Sequence, residues 1–142
     1  MILNQKKVMY QFVGICMFLS NAQMLYGDVK LHDTEISQEV KIVGMGSMKN
    51  AVFDKSVSVV GFLNSESSHF LSDVYLTGSD LVLRNDHIDG DVHITNYLKK
   101  PKLRMQQSTI KGKVVFHGRK PGKVEKDKDS TIERGVENGD ET

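Results

Sequence analysis

Phe53-Asp54-Lys55-Ser56-Val57-Ser58-Val59-Val60-Gly61 and Phe70-Leu71-Ser72-Asp73-Val74-Tyr75-Leu76-Thr77-Gly78 lie 17 residues apart and carry one pattern. A large apolar residue is followed four positions later by Val, two further on by another apolar residue, and two further on by Gly or Asn. The pattern extends both ways along the chain. Upstream it reads Ile36-Val40-Ile42-Gly44; downstream it reads Ile88-Val92-Ile94-Asn96 and Ile110-Val114-Phe116-Gly118. A sixth copy, Ile132-Val136, decays, with Asn138 and Asp140 where the apolar and glycine positions fall. Successive copies start 17, 17, 18, 22 and 22 residues apart, and all six keep Val at the second position.

Val and the residue two places later share one face of an extended chain, because strand side chains alternate with period two. Gly or Asn then tolerates a positive φ at a corner. A second apolar pair precedes some copies, Leu81 and Leu83 before Ile88, and Leu103 and Met105 before Ile110; Met48 and Leu63 serve earlier copies singly. Intervals of four and two residues break a helical period of 3.6. An antiparallel sandwich would explain alternation and turns, but not one motif six times. The expected fold is therefore all-β, a single-domain parallel β-helix of about six rungs.

The two 22-residue intervals contain Tyr97-Leu98-Lys99-Lys100-Pro101 and Arg119-Lys120-Pro121-Gly122-Lys123, which hold both prolines of the chain. Proline interrupts strand pairing, so both segments are expected as surface loops, on the same side because they follow the same corner. The repeat domain is placed at residues 35–139, after a lead-in at 23–34 and before a polar tail at 140–142.

Residues 1–22 read as an export signal. Lys6 and Lys7 precede an apolar run of 12 residues from Val8 to Leu19, and Ser20-Asn21-Ala22 places small residues for cleavage after Ala22. The run is shorter than the roughly 20 residues of a membrane span. An uncleaved anchor and a lipoprotein acylated at Cys16 are the competing readings; the bulky Ile15 fits the lipoprotein badly. Cys16 is the only cysteine, so a cleaved chain is expected to have no thiol, no disulfide and no cysteine metal site, and loss of the apolar run is expected to leave no transmembrane segment in the mature chain. A periplasmic or secreted protein is expected.

Ile110-Lys111-Gly112-Lys113-Val114-Val115-Phe116-His117-Gly118, followed by Pro121-Gly122-Lys123-Val124, resembles rungs of small exported β-solenoid proteins of gram-negative bacteria. More distantly it is similar to bactofilin-like, polymer-forming β-helix repeats. The resemblance spans Ile36 to Gly139. It implies a β-helix and assembly through rung ends or an outer face, and it carries over no catalytic residue. The export signal departs from the bactofilin-like pattern, whose members are typically cytosolic.

Net charge is +1, but the charges segregate. From Asp28 to Asn96 five Lys/Arg face eleven Asp/Glu, a balance of −6; from Tyr97 to Lys128 eleven Lys/Arg face two Asp/Glu, a balance of +9. Lys99, Lys100, Lys102, Arg104, Lys111, Lys113, Arg119, Lys120 and Lys123 are the candidate binding residues of this basic zone. Such a zone attracts an anionic glycan, lipopolysaccharide or lipid headgroup. It equally suits self-association with the acidic half of another copy, or docking of a protein partner. The signal and the lack of interleaved aromatics argue against nucleic acid.

Asp86, Asp89 and Asp91 are hard oxygen donors that would suit Ca2+, although their spacing is not that of a calcium loop and Asp/Asn/Gly clusters also mark turns. The turn reading is preferred, and no metal or cofactor is expected. His69 and His87 occupy equivalent places one rung apart and are expected to stack, as a surface ladder or around a shared metal. His93 and His117 are expected to face outward. No nucleophile elbow, zinc-protease motif or phosphate loop is present, so no catalytic residue is assigned. A period-six acyltransferase pattern starts at Ile36, Ile42 and Met48 but does not persist. A β-helical carbohydrate enzyme is the third reading, with Asp73, Asp89 and Asp91 and Arg84 or Arg104 as its natural residues. The expected role is structural or interactive rather than catalytic.

Overall fold

In the computed structural model, which describes residues 9–13, 16–18 and 22–141, every regular element is a β-strand. The strands wind into a parallel β-solenoid of about seven turns with a three-sided cross-section. One side is a six-stranded sheet of two-residue strands: Glu35–Ile36, Val52–Phe53, His69–Phe70, His87–Ile88, Thr109–Ile110 and Thr131–Ile132. The other two sides are one bent sheet, formed by Ala22–His32, Glu39–Lys49, Val57–Glu66 and Val74–Arg84. Later turns split these long strands into Val92–Thr95 with Lys102–Gln106, and Val114–His117 with Gly122–Lys126.

The repeat sets the register directly. Val40 pairs with Val57, Val57 with Val74, Val74 with Val92, Val92 with Val114 and Val114 with Val136. Each side sends two side chains inward per turn, and like stacks on like. Phe53 and Phe70 stack with centroids 5.0 Å apart at 12°. Ile42, Val59, Leu76, Ile94 and Phe116 form a second column, and Leu63, Leu81, Leu103 and Val124 a third, all fully or nearly fully buried. Each such side chain removed from water contributes roughly 1.5–3 kcal/mol towards the ordering entropy of the chain.

One turn more is present than the six valine copies announce. Ala22–His32 pairs in parallel with Glu39–Lys49 over its whole length, Gln23 facing Val40, Leu25 facing Ile42 and Gly27 facing Gly44. The lead-in is thus a rung in which Gln23 replaces the marker valine. At the other end Gly139–Glu141 continues the pairing by joining Gly122–Lys126, so the polar tail begins inside a strand. The expected signal, residues 1–22, lies largely outside the described residues. Its stretches Met9–Val13 and Cys16–Phe18 run antiparallel along Ala22–His32.

The corners explain the small residues. Gly44 and Gly61 have φ of 136° and 137°, as a positive-φ corner requires. Gly78 does not share that requirement. A Cβ on Gly78 would sit 1.9 Å from the Gly61 carbonyl oxygen, and one on Gly61 equally close to that of Gly44. Close approach of successive backbones, more than backbone angle, selects glycine along this corner. The corner before each of the first five short strands holds a left-handed non-glycine residue, Asp33, Asn50, Ser67, Asn85 or Gln107, with φ of 50–54°.

Candidate functional site

Both loops leave the solenoid at the glycine corner, on successive turns. Asn96 takes the glycine place and organises the first of them. Its Nδ2 donates to the Gly78 carbonyl at 2.9 Å, in the previous turn, and its Oδ1 accepts the amides of Leu98 and Lys99, both at 2.9 Å. An Asx side chain that satisfies backbone amides two and three residues on is a turn former. The loop returns through Pro101, whose buried position and carbonyl, accepting the Lys123 amide at 2.9 Å, tie it to the next turn. Tyr97, Leu98, Lys99 and Lys100 all stand exposed between these two anchors, Leu98 at 90% and Tyr97 at 63%. An open hollow of ≈ 410 Å³ separates the loop from Thr77, Gly78 and Ser79.

The second loop, Arg119-Lys120-Pro121, is exposed one turn away, beyond Gly118, whose own Cβ would meet the Asn96 carbonyl oxygen. It re-enters at Gly122, where a Cβ would lie 2.1 Å from the Phe116 ring. That glycine, together with Gly139, makes room for the one phenylalanine in a column of aliphatic residues.

The structure divides the nine candidate cations into two groups. Lys102, Arg104 and Lys123 converge on Glu125, at 3.3, 3.7 and 3.6 Å. The Lys102 hydrogen bond, with the neighbouring positive charges, holds the Glu125 carboxyl below its ordinary range. Lys113 pairs with Glu137 at 3.1 Å, and Lys111 lies 3.7 Å from Asp89. Lys99, Lys100, Arg119 and Lys120 have no carboxylate within ion-pair distance among the described residues. The nine candidate cations, read as one patch, are therefore a compensated strand set beside an uncompensated loop set. Sequence reasoning could not separate the two, because Glu125 reaches Lys102 and Arg104 only through the pairing of Lys102–Gln106 with Gly122–Lys126.

The acidic constellation separates too. Asp86 points into the core and is fully buried. Its carboxylate accepts the Ser68 amide at 2.7 Å, the Ser65 hydroxyl at 3.1 Å and the Arg84 amide at 3.0 Å. Asp89 lies at a bend and Asp91 just beyond it. Asp89 meets His69 Nε2 at 3.1 Å, and Asp91 Oδ1 accepts the Lys113 amide at 2.9 Å. Asp73 does the same one turn earlier, accepting the Asp91 amide at 2.7 Å. These carboxylates bridge successive turns, and Gly90 and Gly112 leave space for them. Among the described residues no group of three or more His, Cys, Asp or Glu side chains is arranged to hold a metal ion.

The residues named for carbohydrate chemistry are likewise dispersed. Asp73, Asp89 and Asp91 occupy the corner after the short strands, whereas Arg84 reaches Asn64 on another side and Arg104 pairs with Glu125. His69 and His87 contact edge to face with centroids 5.9 Å apart. A ladder missed in the sequence joins Tyr75, His93 and His117, with stacked centroids at 5.0 and 5.3 Å and His93 Nδ1 3.1 Å from His117 Nε2. Its signal was the shared outward phase of the three residues, but the diagonal offset of His117 hides the contact.

The β-solenoid fold supports a structural or interaction role in general. The chain matches no protein-family model, no curated protein and no solved structure.

Proposed function

We propose that this protein is an exported interaction module that binds an anionic partner through the paired loops at Tyr97–Pro101 and Arg119–Pro121. The observation that carries the reading is the uncompensated charge of Lys99, Lys100, Arg119 and Lys120, on neighbouring turns of a rigid scaffold. Five other cations of the same zone, Lys102, Arg104, Lys111, Lys113 and Lys123, meet Glu125, Asp89 or Glu137, whereas Lys126 donates to the Ser130 carbonyl and, like Lys128, has no carboxylate within ion-pair distance among the described residues. Export is supported by Lys6, Lys7, the apolar run and the Ser20-Asn21-Ala22 site; cleavage after Ala22 would leave the first rung its strand from Gln23 onward.

A solenoid suits this work. Successive turns hold the loops about 4.8 Å apart per rung, so the charges are positioned before a partner arrives and little ordering entropy remains to be lost. The test is retention on a heparin column across a salt gradient. The intact protein is expected to bind and to elute earlier as salt screens the charges. Replacing Lys99, Lys100, Arg119 and Lys120 together by Gln should abolish retention, while Lys111→Gln with Lys113→Gln should leave most of it. Equal effects of the two variants would overturn the assignment to the loops.

A second reading, self-association, has one specific observation behind it. Val43, Met45 and Val60 are 41%, 55% and 51% exposed, and Val43 and Val60 pair on adjacent turns. Light scattering at low and high salt separates the possibilities. An oligomer that persists in high salt favours this apolar face, one that dissociates favours contact between acidic and basic halves, and a monomer in both removes the reading.

A further inference from the structure

We infer that the tip of the first loop enters an anionic lipid surface, with Tyr97 and Leu98 at the interface and the four loop cations on its phosphates. The inference rests on the loop-pair reading above and names the partner of that site.

Leu98 is the most exposed large apolar side chain among the described residues, at 90%, and Tyr97 beside it is 63% exposed. Isolated exposed apolar residues are ordinary on protein surfaces. This pair differs in being held out. Asn96 fixes the amides of Leu98 and Lys99, and buried Pro101 closes the loop, so the tip does not fold back onto the hollow beneath it.

The order of residue types along the tip matches a membrane interface. Tyrosine prefers the headgroup level, where its ring is half apolar and its hydroxyl wet. Leucine gains by leaving water for the acyl boundary. Lys99 and Lys100 have long stems that keep their ammonium groups among the phosphates while the tip sits deeper. Arg119 and Lys120 approach from the next turn. A soluble acidic glycan would satisfy the four cations but offers Leu98 nothing.

The experiment is co-sedimentation of the full protein with phosphatidylcholine vesicles, with and without phosphatidylglycerol, beside heparin retention. Partitioning is expected only with phosphatidylglycerol, and each cation removed should weaken it about fivefold. Leu98→Ser should weaken it roughly tenfold and leave heparin retention unchanged. Because the chain has no tryptophan, Tyr97→Trp supplies one reporter, whose emission should shift to the blue on the anionic vesicles alone. Both positions are exposed, so neither variant disturbs the core. Heparin retention with no vesicle binding would overturn the lipid assignment and leave the loop pair as a site for a soluble polyanion. Vesicle binding indifferent to Leu98→Ser would show charge adsorption without entry of the tip, and would overturn it too. Loss of both kinds of binding would remove the loop-pair reading itself.

Discussion

The Ser68 amide donates to the Asp86 carboxylate at 2.7 Å inside the core, one turn below it. Asp86 stands where other turns place a small residue: Thr34, Ala51, Ser68, Ser108 and Ser130. With Asp86 the serines form an internal ladder, in which the Ala51 amide donates to Ser68 Oγ, the Asp86 amide to Ser108 Oγ and the Ser108 amide to Ser130 Oγ. One carboxyl in this dry column is a locally costly choice. Burial pushes its pKa up to about 7, against the opposing pull of the hydrogen bonds from the Ser68 amide, the Ser65 hydroxyl and the Arg84 amide.

The sign of the linkage follows. The folded chain holds the Asp86 proton more tightly than the unfolded chain does, so this contribution to stability is fully present below about pH 4. It is lost as pH rises towards 7, by an amount on the order of 4 kcal/mol. Denaturant midpoints taken from pH 4 to 8 should therefore fall more steeply for the native sequence than for Asp86→Asn. Parallel curves for the two proteins would show that the carboxylate is as well solvated as in the unfolded chain.

The fold was legible because the valine column is nearly perfect; the first turn was not, because Gln23 breaks it while Leu25 and Gly27 keep its phase. The inward positions of Gly46 and Ser65 were equally hidden. Gly46 has no side chain to count, and its place is filled by Leu63 Cδ1 and Ile42 Cδ1, 3.2 and 3.3 Å from where its Cβ would be. At the site, the sequence indicated two co-lateral basic loops, since loop position follows from spacing. It did not indicate which cations were free, since Glu125 meets Lys102 and Arg104, and Asp89 meets Lys111, only across turns.

Glycine in the solenoid has two separable causes, and substitutions at two different corners distinguish them: Gly78 at the bend of the long strands and Gly135 at the corner before Val136. Gly78→Ala adds a methyl group 1.9 Å from the Gly61 carbonyl oxygen, so the turns must part; about 3 kcal/mol of stability should be lost. Gly135→Ala meets no atom within 4 Å, but its φ is 86°, and only the backbone cost of about 1–2 kcal/mol is expected. Chemical denaturation of both variants measures the difference. A larger loss at Gly135 would reverse the ranking and make backbone angle the governing requirement.

Glu125 restrains the basic surface, and its removal should strengthen binding. Glu125→Gln abolishes one negative charge shared by Lys102, Arg104 and Lys123. Affinity for anionic vesicles should rise by about fivefold, the worth of one charge near such a surface, and elution from heparin should move to higher salt. Acidification through the lowered pKa of Glu125 should act in the same direction. An unchanged elution position would show that these three cations lie too far from the bound partner to contribute.

Asn96 is the residue on which the loop depends, and its loss should be felt locally before it is felt globally. Asn96→Ala removes the bond to the Gly78 carbonyl and both bonds that shape the turn at Leu98 and Lys99. Each is worth about 1 kcal/mol, but the two amides are exposed and can turn to water, so global stability should fall by no more than about 2 kcal/mol. The larger consequence is freedom of the tip. Trypsin should then cut after Lys99 much faster than in the native protein, because the bond after Lys100 leads into proline and resists cleavage. Vesicle partitioning should weaken, since a tip free to collapse into the hollow at Thr77–Ser79 no longer presents Leu98. Asn96→Gly lacks the Asx side chain in the same way, and because Asn96 is not at positive φ glycine gains nothing at the corner, so the loss of stability and the rapid nicking should both persist. If Asn96→Gly instead resists trypsin as the native protein does, the loop is held by Pro101 and its strand contacts alone.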